Sequence, residues 1–151
     1  MMAKYARTSV FRQTMFAEFE QKAHEMAAAG ESMTSQSLCN IYKKLNEDYF
    51  GPDTVIDPEI QYEWERIPHF YTPFYVYQYA TGFSAAIAIS RKIFNGEPGI
   101  LEGYKKFLSG GCSDTPIELL KLAGVDLSHT GPVEEALKFF EELLNEFEEL
   151  A

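Results

Sequence analysis

The chain has 151 residues, enough for one domain with a real core. It is 46% hydrophobic and 15% aromatic, which excludes a disordered segment. A formal net charge of -10 argues against a phosphate-backbone partner, so no nucleic acid is expected.

From about Val10 to Ala29, apolar residues fall at Phe11, Met15, Phe16, Phe19, Ala23 and Met26. That spacing predicts a helix stopped by Gly30. Thr34 is set to cap a second helix, whose stripe is Leu38, Ile41, Tyr42, Leu45 and Tyr49 and which ends at Gly51-Pro52. Asp57-Pro58 is a cap followed by a proline at the first helical position. It predicts a short helix ending before Pro68. Residues 66–73 read as a loop, because Pro68 and Pro73 forbid a continuous helix. A long helix is predicted from Pro73 to about Phe94. Its small residues Ala80, Gly82, Ala85, Ala86 and Ala88 suit close approach of neighbouring helices. Gly82 costs roughly 1 kcal/mol against Ala in a helix interior, so a packing reason is expected for it.

Asn95-Gly96-Glu97-Pro98 reads as a turn. A short helix follows with Tyr104, Phe107 and Leu108 inward, broken by Ser109-Gly110-Gly111. Ser113 to Pro116 opens another, with Ile117, Leu119, Leu120 and Leu122 apolar and Gly124 as its stop. Pro132 opens the last helix, with Val133, Ala136, Leu137, Phe140, Leu143, Leu144 and Phe147 inward. Seven glutamates between Glu134 and Glu149 face one lysine, Lys138, and read as a solvated helix face, with a cationic partner as the alternative. Neither strand alternation nor a repeat is visible. The prediction is an all-α fold, one helical domain over residues 1–151 with six to seven helices and short connections.

Cys39 and Cys112 are far apart and in no CxxC pair, so two free thiols in a reducing cytosol are expected. The N-terminal residues have no apolar core of a signal peptide. The apolar stretch Phe83–Ile89 is too short to span a bilayer. The chain therefore reads as cytoplasmic, with no membrane partner.

Three histidines are present: His24, His69 and His129. A zincin helix needs H-E-x-x-H, so that two imidazoles share one face. His24-Glu25-Met26-Ala27-Ala28 has alanine at the second ligand position and reads as a surface histidine. A di-iron bundle needs Glu-x-x-His, whereas Glu20 and Glu65 lie four residues before His24 and His69. Ser109-Gly110-Gly111-Cys112-Ser113 lacks the lysine and spacing of a phosphate loop. The chain alone is thus expected to bind no metal and to be inactive.

The run WERIPHFYTPFYVYQYATG, Trp64 to Gly82, concentrates the unusual chemistry. His69, Tyr71, Tyr75, Tyr77 and Tyr79 each carry a polar donor. A core needs apolar rings but not so many hydroxyls, since each buried one must find a partner. A site that stabilises a charged oxygen does use preset donors. On the simpler reading these are amphipathic core residues with satisfied hydroxyls, favoured for Tyr79 and Tyr104.

Three ordered blocks carry a family resemblance: FRQTMFAEFE (Phe11 to Glu20), IPHFYTPFYVYQYATG (Ile67 to Gly82) and YKKFLSGGCSDTPIELLKLAGVDL (Tyr104 to Leu127). Through them the chain resembles the C-terminal region of oligoendopeptidase F, a zinc metallopeptidase of the thimet-oligopeptidase-like group. The resemblance implies the C-terminal half of a zincin-type oligopeptidase fold, helical and built around a groove for short peptides. It implies zinc in the intact enzyme, held by H-E-x-x-H and a later glutamate upstream of the first block. It assigns His69 and Tyr77 as catalytic and His69, Tyr71, Tyr75 and Tyr77 as substrate-binding, stabilising the oxyanion and holding the substrate backbone. The family usually shows Tyr-Tyr after His-Phe, whereas Thr72 and Pro73 follow Tyr71 here.

The expected partners are therefore short peptides and a missing N-terminal catalytic region. A homo-oligomer through the exposed groove face is also expected. The alternative is a non-catalytic helical remnant that binds peptides or self-associates.

Overall fold

The computed structural model describes residues 5–150 and, among them, is wholly helical. A π-helical turn, Arg7–Phe11, leads into α1 (Arg12–Ala28). The remaining α-helices are α2 (Ser35–Phe50), α3 (Tyr77–Phe94), α4 (Ile100–Ser109), α5 (Pro116–Leu122) and α6 (Gly131–Leu150). Between α2 and α3 run two 3₁₀ helices, Pro58–Arg66 and Pro68–Tyr71. The all-α prediction is borne out. None of these helices is long and apolar enough to cross a membrane.

The caps lie where the sequence puts them. The Thr34 hydroxyl accepts the Ser37 backbone N–H, and Ser37 returns a bond to the Thr34 N–H, a reciprocal capping box. Asp57 accepts the Glu59 N–H, with Pro58 behind it. Thr115 accepts the Glu118 N–H, with Pro116 at the first helical position.

Two elements differ from prediction. Residues 68–71 form a turn of 3₁₀ helix where a loop was expected, because Pro68 is tolerated in a first turn. The long helix begins at Tyr77 instead of Pro73. Phe74 adopts φ +55°, a left-handed conformation that no right-handed helix contains.

The chain divides into two compact units, one of Phe11–Ala80 and one of residues 5–10 and 81–150. The first is built on Met15, Phe16, Phe19, Tyr42, Leu45, Ile67 and Val76. Its rings meet edge to face, Phe19 against Tyr42 at 5.2 Å and Phe16 against Phe70 at 5.7 Å. At its edge lies a buried carboxylate. Glu63 accepts the Tyr42 hydroxyl at 2.7 Å on one oxygen, and Arg12 at 2.6 Å and Arg66 at 2.5 Å on the other. This single group joins α1, α2 and the 3₁₀ helix Pro58–Arg66. Trp64 donates its ring N–H to buried Cys39 at 3.5 Å, while Cys112 is exposed.

In the second unit Ala85, Ala88 and Ile89 of α3 pack with Ala123 and Val125. Arg91 of α3 pairs with Glu142 of α6 at 2.6 Å, lies 3.9 Å from Glu135 and sits over the Phe139 ring at 5.2 Å. The acidic face of α6 is thus partly used within the fold. Of the residues predicted inward, Leu108, Leu137, Leu144 and Phe147 are exposed, as are the apolar Ile117 and Leu122 of α5. Their apolar stripes extend beyond the surface that the unit offers them.

Gly82 also departs from expectation, since a Cβ there meets nothing within 4 Å. The close approach falls at Gly103, where a Cβ would lie 2.0 Å from the Leu122 carbonyl oxygen. Opposite effects on thermal unfolding, followed by circular dichroism, are expected. Gly103→Ala overpacks a backbone contact and destabilises by roughly 1–3 kcal/mol. Gly82→Ala stabilises by about 0.5–1 kcal/mol through helix propensity. Shifts of one sign for both would contradict this packing.

Glu63 generates a pH prediction. Burial raises its carboxyl pKa, but the Tyr42 hydroxyl and the Arg12 and Arg66 guanidiniums outweigh that and hold it below the ordinary range. The folded state thus keeps the ionised form to lower pH than the unfolded chain does. Its contribution is full above the ordinary carboxylate value and is lost as pH falls through the folded one. On the alkaline side, burial and the hydrogen bond to Glu18 push the Tyr49 phenol up to about 12. That contribution is lost as pH rises from about 10, the ordinary phenol value, through the folded one. The unfolding midpoint should therefore fall below about pH 4 and above about pH 10. Glu63→Gln should lower the neutral midpoint and make the acid limb shallower; an acid limb as steep as the wild type's would count against the assignment.

Candidate functional site

Three apolar side chains fix the path of residues 67–76. Ile67 and Val76 are buried in the first unit's core, and Phe70 packs against it, 5.3 Å from the Phe19 ring. Between and around these anchors the polar rings are left towards the surface. His69 is half-buried, and Tyr75 and Tyr77 flank buried Val76.

His69, Tyr75 and Tyr79 form one cluster. The His69 ring stacks on Tyr75 at 5.9 Å with 7° between planes, and meets Tyr79 edge-on at 5.8 Å. The Tyr75 and Tyr79 rings are perpendicular at 5.4 Å. The Tyr79 hydroxyl donates to that of Tyr75 at 3.1 Å, and this contact raises the Tyr79 phenol above its ordinary pKa. An imidazole and two phenols therefore hold one another in preset orientations.

Of the residues singled out in the sequence, His69 and Tyr75 are brought together. Tyr77 is the first residue of α3 and stands 50% exposed. Tyr71 is 85% exposed and outside the stack, so the Thr72-Pro73 departure coincides with its turning away. Tyr79, read as core, belongs to the cluster instead. Its spacing of four from Tyr75 was the available signal.

The turn before Tyr75 is strained. Phe74 at φ +55° costs roughly 1–2 kcal/mol against an ordinary backbone conformation. Its N–H donates to the buried Glu20 carboxylate at 2.6 Å, and its ring packs on His24 at 4.6 Å. Strained backbone of this kind concentrates at functional sites.

The described residues do not fit zinc. Among them no three His, Cys, Asp or Glu side chains come together as a metal-binding set. His24 is committed to Phe74 and His69 to its tyrosines. His129 accepts the Gly131 N–H on Nδ1 at 3.1 Å.

The model of Peptidase family M3 matches residues 2–139, and the chain belongs to that family. It is 54% identical over 145 residues to oligopeptidase PepF of Bacillus subtilis (strain 168), covering 95% of this chain and 22% of that protein. It is 49% identical over 144 residues to the chromosomal oligoendopeptidase F of Lactococcus lactis subsp. cremoris, covering 95% of this chain and 24% of that protein. The crystal structure of oligoendopeptidase-F from Enterococcus faecium superposes with a TM-score of 0.93 at 51% identity, covering 95% of this chain and 28% of that one. The chain therefore spans about a quarter of the length of these relatives. The family resemblance itself is borne out.

Proposed function

We propose that this chain forms a substrate-facing wall in the active-site groove of a zinc oligoendopeptidase that hydrolyses short peptides. The observation that carries the reading is the preset stack of His69, Tyr75 and Tyr79 on a backbone anchored by Ile67, Phe70 and Val76. Membership in Peptidase family M3 supports it.

The chemistry suits such residues. Water attack on a peptide carbonyl builds negative charge on the carbonyl oxygen. A phenol remains a donor throughout neutral pH, its ordinary pKa being about 10. In this reading Tyr77 donates to the developing oxyanion, an effect worth about 3 kcal/mol. His69 holds the substrate backbone, kept in orientation by Tyr75 and Tyr79. The zinc ligands belong to polypeptide beyond these 151 residues, and no step here is routed through them. The two unpaired thiols, Cys39 and Cys112, suit a reducing, cytoplasmic setting.

A chimera tests this reading. The chain replaces the matching segment of Bacillus subtilis oligopeptidase PepF, and cleavage of a quenched fluorescent oligopeptide is followed. The chimera should cleave. Tyr77→Phe should lower kcat about 10²–10³-fold with little change in KM, the pattern of an interaction made in the transition state. His69→Ala should lower kcat/KM as well. Full activity in both variants would remove these residues from the site.

A further inference from the structure

Glu20 and His24 lie one turn apart on α1, and both engage Phe74. The Glu20 carboxylate is buried at 6% exposure and accepts the Phe74 N–H at 2.6 Å, while the His24 ring covers the Phe74 ring. Phe74 is the non-glycine residue with positive φ among the described residues. Nothing in a phenylalanine favours that conformation, so something outside the turn must hold it. An ionised carboxylate is suited to the task, because its bond to a backbone N–H is charge-assisted.

We propose that Glu20 is a positioning residue for the peptidase site. Its carboxylate latches the Pro73-Phe74 turn, and the turn aims Tyr75 onto His69 and delays the start of α3 to Tyr77. The assignment rests on the reading of His69 and Tyr77 given above. Without the latch, Phe74 relaxes to negative φ and the helix extends back toward Pro73, where the sequence periodicity alone starts it. Tyr75 then leaves the face of His69, and the Tyr79 hydroxyl loses its partner.

The stack has a signature independent of catalysis, since a ring 5.9 Å away and nearly parallel shifts the His69 ring protons in NMR spectra. Spectra of the purified chain are compared for wild type, Glu20→Gln, Glu20→Ala and Glu20→Ala with Phe74→Gly. In Glu20→Ala the His69 ring protons should lose that shift while the Met15 and Leu45 methyl signals stay in place. Glu20→Gln keeps an acceptor without the charge and should be intermediate. Phe74→Gly should restore the stack, because glycine adopts positive φ without strain. In the chimera, Glu20→Ala should lower kcat about tenfold to a hundredfold at little change in KM, and Phe74→Gly should recover most of the loss.

An unmoved stack in Glu20→Gln and Glu20→Ala would overturn the latch. Loss of the core signals together with the stack, unrelieved by Phe74→Gly, would make Glu20 a general structural residue and overturn the positioning role. Unchanged kcat in Glu20→Ala beside an impaired Tyr77→Phe would do the same while leaving the proposed function standing. Full activity in Tyr77→Phe and His69→Ala would instead remove that function, and the positioning role for the peptidase site with it. The NMR comparison would then still decide whether the latch exists.

Discussion

The buried Glu63 carboxylate is the interaction on which the candidate site depends. By taking bonds from Tyr42, Arg12 and Arg66 it holds the 3₁₀ helix Pro58–Arg66 against α1 and α2. A buried carboxylate without partners costs far more than the folding of such a segment returns, so the arrangement stands or falls as a set. Residues 67–76 leave from the end of that helix. Their anchors Ile67, Phe70 and Val76 reach the core only from that starting point.

A second carboxylate works at the other end of the same segment. Glu63 fixes where the segment begins, and Glu20 meets the turn at which it enters α3. Between these two charged bonds the apolar anchors alternate with polar rings, so the surface presents donors while the core takes the hydrocarbon. That division explains how a run so rich in hydroxyls folds without stranding them. The Tyr75 and Tyr79 hydroxyls answer each other, and Tyr42 and Tyr49 answer carboxylates.

Local chemistry was legible in the sequence. Thr34 and Asp57 cap helices because a side-chain oxygen and a nearby backbone N–H suffice, and the partners lie within three residues. What depends on distant partners was not legible. The start of α3 is set by a bond between residues 54 apart in sequence, so helical periodicity alone put it at Pro73. Gly82 read as a packing glycine by position, but the close approach belongs to Gly103, whose neighbour Leu122 is on another helix. For the site, composition located the His69–Tyr79 region but read Tyr79 as core, because its partners His69 and Tyr75 come from the turn before α3, whose path no residue pattern records.

In the function proposed, this chain supplies a peptide-facing wall and not the metal site. Zinc content by elemental analysis of the purified chain, paired with cleavage of a quenched fluorescent oligopeptide, decides it. No stoichiometric zinc and no cleavage are expected. Bound zinc with chelator-sensitive cleavage would contradict it, and would require a ligand set assembled from histidines assigned here to aromatic and backbone contacts.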